Sequence, residues 1–187
     1  FADQAVIAIA NVRLFQELES RNDELRTSLE QQTATSEILR AISQSPTDTQ
    51  PVFDTIAESV VRLCNGRLAG VYRFDGTLIH FVAHHNWADE GLETARAMYP
   101  RTPSRDTQVA MAILDRTVVR VRDFEADPDV PAQSVPLARA LGYRSILVVP
   151  MLREAAPIGA IAVARSEPGE FSAKYVELLR TFADQAV

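Results

Sequence analysis

The chain has 187 residues, 47% of them apolar, and a net charge of −6 at neutral pH. That length suits one domain with an appendage, and the apolar share suits a sizeable core. There is no basic run, no signal-peptide pattern and no apolar stretch near the roughly 18 residues of a membrane span, so neither a nucleic-acid partner nor membrane contact by this segment is expected. The single cysteine, Cys64, excludes an internal disulfide and a cysteine-based zinc site, and points to a reducing, cytoplasmic setting.

The first six residues, Phe1-Ala2-Asp3-Gln4-Ala5-Val6, return as the last six, Phe182-Ala183-Asp184-Gln185-Ala186-Val187. This reads as one period cut from a tandem array with neighbouring repeat units. Residues 1–45 contain no Gly and no Pro, and Ser45-Pro46 ends the pattern. One heptad position carries Ile7, Leu14, Arg21, Ser28, Thr35 and Ile42; the other carries Asn11, Leu18, Leu25, Gln32 and Leu39. The seam is apolar at its ends and polar in its middle, which lowers coiled-coil stability and helps fix register. The expectation is a helical linker over 1–45 that forms a homodimeric coiled coil through Ile7, Leu14, Leu18, Leu25, Leu39 and Ile42. The competing reading is a helix packed on its own domain.

Residues 51–64 read as an amphipathic helix, with Pro51 in the first turn after Asp48 or Thr49 as cap. Phe53, Ile56, Ala57, Val60, Leu63 and Cys64 fall on one face. Ala69–Phe74, the turn Asp75-Gly76 and Thr77–His85 form a hairpin signal. A short helix is expected over 88–98, a loop at Thr102-Pro103-Ser104-Arg105, and a helix over Asp106–Asp115 burying Val109, Ile113 and Leu114. Thr117–Val121 reads as a strand. Residues 123–136, with three prolines and several acids, read as loop. Leu137–Leu141 is one helical turn stopped by Gly142. Ser145–Leu152 and Ile158–Arg165 are strands around a turn containing Pro157. Ser172 then caps a last helix with Val176, Leu179, Phe182 and Ala186 on one side. In a tandem array that helix would continue into the rod of the next unit.

This order resembles a GAF domain, a sensory relative of PAS domains. The resemblance rests on the hairpin Gly70-Val71-Tyr72-Arg73-Phe74-Asp75-Gly76 and the strands Ser145-Ile146-Leu147-Val148-Val149-Pro150-Met151 and Pro157-Ile158-Gly159-Ala160-Ile161-Ala162-Val163. The last helix, from Phe171-Ser172 onward, also carries it. It covers residues 46–187. It implies an α+β fold with a central antiparallel sheet of about five to six strands, terminal helices on one face and a ligand pocket on the other. It also implies a non-catalytic sensory unit, as in bacterial sensor histidine kinases or cyclases, whose output domain lies outside this segment. The alternative is a structural spacer and dimerisation module with no ligand.

His80, His84 and His85 are all the histidines of the chain. On one strand His80 and His84 would share a face about 13 Å apart, and His85 would face the other way, so a three-histidine metal site is not expected. Haem is not expected either, because no second ligand is recognisable. Bilin-binding relatives carry their attachment cysteine on the short helix after the hairpin, and Asp106 to Asp115 has none, so covalent bilin is not expected. Cys64 reads as a small buried hydrophobe. The acids around Asp127-Pro128-Asp129 lack the glycine and distal glutamate of a calcium loop. No activated nucleophile or acid–base pair can be assembled, so no catalytic residues are expected. In such domains the pocket lies between the sheet and the middle segment. That position nominates His80, His84, Trp87, Tyr99, Arg105, Gln108, Tyr143 and Ser145 as ligand contacts. The nature of the ligand stays open.

Overall fold

The structure, a computed structural model, describes residues 11–22, 25, 26, 28, 29, 32, 33, 35, 36, 40 and 49–186. Two units divide the chain, Phe1–Ser36 and Glu37–Val187. In the first, residues 11–22 form helix α1, and the described residues between 25 and 36 are helical as well. Thr33 Oγ1 donates to the Leu29 carbonyl and Ser36 Oγ to the Gln32 carbonyl, each at 2.9 Å. These back-bonds let hydroxyl residues sit inside a helix. Leu14, Leu18 and Leu25 are exposed in the single chain, at 57%, 67% and 69%. Ile7, Leu39 and Ile42, the opening hexapeptide, Asp48 and Val187 lie outside the described residues.

The second unit runs α2 (Gln50–Leu63), β1 (Leu68–Phe74), β2 (Ile79–His85), α3 (Asp89–Met98), α4 (Gln108–Asp115), β3 (Val119–Val121), α5 (Val135–Leu141), β4 (Ser145–Arg153), β5 (Ala156–Arg165) and α6 (Ala173–Gln185). The strands form one five-stranded sheet in the order β2-β1-β5-β4-β3, with every pairing antiparallel. The fold is therefore the GAF-like α+β sheet that the resemblance implied.

Both faces of the central strands are buried, which explains their near-continuous apolar runs. Strand alternation sends Leu68, Gly70 and Tyr72 to one face and Ala69 and Val71 to the other. The second face carries α2 and α6. Buried Phe53, Ile56, Ala57 and Val60 on α2 and Val176, Leu179 and Phe182 on α6 supply its apolar layer. The first face carries α4, through Val109, Ala110, Ala112 and Ile113, and the buried residues Leu137, Ala138 and Leu141 of α5.

Local chemistry shifts several expected boundaries. The hairpin turn is a four-residue loop, Asp75–Leu78, because Asp75 Oδ1 accepts the backbone N–H of Thr77 at 2.9 Å and of Leu78 at 2.7 Å. Thr77 and Leu78 are thereby drawn out of the strand. Helix α4 starts two residues late, at Gln108, because Thr107 is extended and its side chain caps Ala110 N at 3.2 Å. Leu114 is exposed rather than buried. The β4–β5 turn is Glu154-Ala155, with φ of 50° and 68°, the pair of positive values that a two-residue hairpin turn requires. Pro157 sits within β5 opposite Leu152, at a register irregularity where a missing N–H is tolerated.

Gly159 is the point of closest strand packing. A Cβ there would stand 2.1 Å from the Tyr72 carbonyl oxygen and 2.3 Å from Met151 Cε. The carbonyl belongs to the sheet backbone and cannot yield as a side chain could. Gly159→Ala is expected to cost about 1–3 kcal/mol, seen as a lower urea midpoint at unchanged slope. An unshifted midpoint would contradict this packing.

Candidate functional site

The small cavity-side residues Gly70, Ala162 and Ala164 leave space on the face opposite α2 and α6. Leu68, Tyr72 and Ile146 complete the floor. Thr107, Gln108 and Val109 at the start of α4, Ser134 and Leu137 around the start of α5, and Trp87, Tyr99 and Tyr143 from the connections complete the walls. The enclosed volume is about 30 Å³. That is room for about two waters at most, against ~300–1,000 Å³ for ordinary ligand pockets.

Four aromatic residues, Tyr72, Trp87, Tyr99 and Tyr143, line the cavity. Tyr72 lies 5.4 Å from Phe81 and 5.2 Å from Tyr99 between ring centroids, and Phe81 lies 4.7 Å from Trp87. Trp87 Nε1 donates to the Ala69 carbonyl at 2.7 Å, which fixes the indole against β1. Phe124 holds Tyr143 edge-on at 5.1 Å. Gly70 makes room for the Tyr72 ring: a Cβ at Gly70 would meet the Tyr72 hydroxyl at 3.0 Å.

The polar atoms are few and neutral. Gln108 Nε2 donates to Ser134 Oγ at 3.3 Å, and Ser134 Oγ donates to the Pro131 carbonyl at 2.8 Å. Tyr99 is half-buried, and its hydroxyl shares a hydrogen bond with the side chain of buried Thr107. Burial pushes the Tyr99 phenol up to about 12, with Arg101 and the Thr107 bond opposing. Burial, and then the neighbouring tyrosines, raise Tyr72 well above its ordinary value; burial and then Tyr99 raise Tyr143. Arg101, the cation near Tyr99, is engaged with Asp106 and with Ser104 Oγ.

Of the residues that sequence position nominated, Trp87, Tyr99, Gln108 and Tyr143 line this cavity. The other four stand elsewhere. His80 Nε2 meets Asp75 Oδ2 at 2.6 Å beside the hairpin loop. Arg105 is exposed and paired with Asp115. Ser145 is buried, and its Oγ donates to the Glu167 carbonyl at 2.8 Å. His84 is exposed, with its ring stacked on Phe81 at 5.8 Å. Its pKa is lowered, first by partial desolvation and then by Arg96.

His80 and His84 do not share a face, contrary to simple alternation. A bulge between Val71 and Tyr72 in the β1–β2 register puts His80 opposite Arg73 and His84 opposite Gly70. Tyr72, Gly70, Thr107, Ser134, Leu137, Ile146, Ala162 and Ala164 also line the cavity, and sequence reasoning missed them. Tyr72 carried a usable signal, since it alternates with Leu68 and Gly70 on β1. The others are set by packing between distant segments.

Cys64 lies on the α2 side of the sheet, where a Cβ on neighbouring Gly66 would meet Val163 and Val61. It is fully buried, and burial pushes its thiol up to about 12 against the pull of Arg165. It is therefore an unreactive thiol, remote from the cavity face. Among the described residues no group of three or more His, Cys, Asp or Glu could hold a metal ion. No described helix is long and apolar enough to cross a membrane.

A five-stranded antiparallel sheet with helices on both faces and an interior cavity on one defines an α+β domain. The family model of the GAF domain matches residues 48–187, and the chain belongs to that family. Three solved structures share the fold. The GAF domain of a phosphoenolpyruvate-protein phosphotransferase from Coxiella burnetii superposes with a TM-score of 0.69 at 10% identity, covering 87% of this chain and 90% of that one. Residues 122 to 287 of a methyl-accepting chemotaxis protein give 0.64 at 27% identity, covering 82% and 92%. A domain of a putative two-component sensor histidine kinase from Sinorhizobium meliloti 1021 gives 0.58 at 17% identity, covering 72% and 85%. No curated protein matches the chain. Family membership, with neighbours of this kind, supports a sensory or regulatory module.

The buried phenols make alkaline stability a test of the cavity. A raised folded-state pKa leaves stability intact below the ordinary phenol value near ~10 and removes it as pH rises through the folded value. For Tyr99 that window runs from about pH 10 to about 12. The urea midpoint is expected to fall across it, and Tyr99→Phe should flatten the fall. Identical pH profiles for the two proteins would contradict the burial of this hydroxyl.

Proposed function

We propose that this chain is a non-catalytic sensory module. It binds a small molecule in the aromatic cavity and relays occupancy through its helices to an output domain such as a histidine kinase or cyclase. The observation that carries the reading is the interior cavity walled by Tyr72, Trp87, Tyr99 and Tyr143, with Gln108 as a polar contact. Apolar walls with a few convergent polar groups are the usual make-up of a small-molecule site. The coupling path is short. Ile146, Ala162 and Ala164 line the cavity, while their strand neighbours Leu147 and Val163 face the layer of α2 and α6. A wall displaced on one face is thereby felt on the other, and α6 carries the first four residues of the second copy of the hexapeptide, Phe182–Gln185.

In this reading the N-terminal helix forms a homodimeric coiled coil in a cytoplasmic tandem array. Exposed Leu14, Leu18 and Leu25 supply part of the seam. Leu18→Asp combined with Leu25→Asp is expected to give monomers by light scattering; an unchanged mass would sink the dimer.

The small volume of the cavity, about 30 Å³, favours a second reading, a spacer and dimerisation module whose interior is filled by its own side chains. Native and denaturing mass spectra of the protein purified from its own host separate the two. A bound mass released on denaturation is the expected result. A bare protein whose melting temperature no fraction of a host metabolite extract raises would overturn the sensory reading in favour of the spacer.

A further inference from the structure

We infer that the cavity accepts a neutral, single-ring aromatic molecule bearing a hydroxyl or carbonyl group, an inference that rests on reading the cavity as a ligand site. Every residue that lines the cavity is uncharged. A phosphate, carboxylate or ammonium group would enter without a counter-charge, and an ion moved from water into such a site incurs a large desolvation cost. Arg101, the cation near Tyr99, does not line the cavity, and its Nη2 is engaged by Asp106 and Ser104. The walls instead offer ring faces and edges, where an aromatic guest stacks or packs edge-on.

The polar groups select further. Tyr72 and Tyr143 are 4% and 7% exposed, and Gln108 is 3% exposed. Phenols are protonated at neutral pH, so Tyr72 and Tyr143 are neutral O–H donors available to an acceptor on the guest. A pure hydrocarbon would leave these groups without that partner, which lowers its affinity relative to a phenol or an aromatic carbonyl compound.

Size limits the guest to one ring. A benzene-sized molecule needs roughly 150 Å³, so the space must open. The segment around the start of α5 covers part of the cavity through Ser134 and Leu137. Ser134, at the start of the seven-residue helix α5, is joined to α4 by the Gln108 Nε2–Ser134 Oγ bond at 3.3 Å. Opening there breaks that neutral hydrogen bond, shifts the buried Leu137 side chain and frees the Gln108 amide for the guest.

The test uses the whole chain at neutral pH with p-cresol, toluene, cyclohexanol and 4-hydroxybenzoate as probes. Trp87 is the single tryptophan and lines the cavity, so its emission reports occupancy directly. The expected result is saturable quenching by p-cresol, binding of toluene and cyclohexanol about tenfold weaker, and no saturation by 4-hydroxybenzoate. Tyr143→Phe should weaken p-cresol about fivefold, the worth of one neutral hydrogen bond, and leave toluene unchanged. Ala162→Leu fills the floor and should abolish quenching; if that variant fails to fold, the Tyr143→Phe comparison decides alone. Binding of 4-hydroxybenzoate as tight as p-cresol overturns the neutral-ligand inference while preserving the cavity as a ligand site. No saturable response to any probe also overturns it, and the native mass spectrum then shows whether the sensory reading survives with a different ligand.

Discussion

The structure depends on a sheet that is buried on both faces. Except at their ends, where Arg73, Arg153 and Ala156 are exposed, strands β1, β4 and β5 have water on neither side, so the residues along them must be apolar or satisfied. The two faces then meet this demand differently. Toward α2 and α6 the strands present medium-sized residues such as Val71, Leu147, Ile161 and Val163, which interdigitate with the helices. Toward α4 they present Gly70, Ala160, Ala162 and Ala164, which are too small to reach the cover. Aromatic rings from other segments fill the difference. The cavity is what remains of that mismatch.

The mismatch has a chemical signature. Tyr72 leans back over Gly70, Trp87 is tied to the Ala69 carbonyl, and Tyr99 is bonded to Thr107, so each large ring is held by a specific polar or steric partner. No charged residue lines the cavity; Arg101 is paired with Asp106 and Arg105 with Asp115 outside the lining. An interior of this make-up holds no counter-charge for an ion, whose entry would carry a large desolvation cost. It differs in kind from the Asp75–His80 contact and the acidic loop around Asp127, which are exposed or half-exposed and belong to the surface.

The helical segments follow a separate logic. Helix α1 shows its leucines to solvent in the single chain, whereas α6 buries Val176, Leu179 and Phe182 against the sheet. The hexapeptide Phe182–Val187 therefore begins on a helix anchored to the folded domain: Phe182 and Ala183 are buried, and Asp184 is exposed. The same six residues at the start of the chain lie outside the described residues. On this copy the first residues of the duplicated hexapeptide are part of the core.

Much of the fold was legible in the sequence because it is written in local periodicity. The change from helical to alternating spacing near residue 66, the Asp75-Gly76 turn and the runs Ser145–Met151 and Ile158–Arg165 each follow from a few neighbouring residues. Trp87, Tyr99, Gln108 and Tyr143 could be nominated from their positions between those elements. The rest depended on contacts that span the chain. The register between β1 and β2, with its bulge, sent His80 and His84 to opposite faces, and no spacing rule shows a bulge in advance. Gly70, Ala162 and Ala164 look like ordinary strand residues until the strands are paired and the cover is in place. The sequence by itself determined which segments become helices and strands and that the strands of the central sheet are apolar along their length, because backbone propensity and burial pattern are local. Only the tertiary structure decided which face holds the cavity and which rings meet in it, because ring packing and strand register are set by residues as far apart as Tyr72 and Gly159.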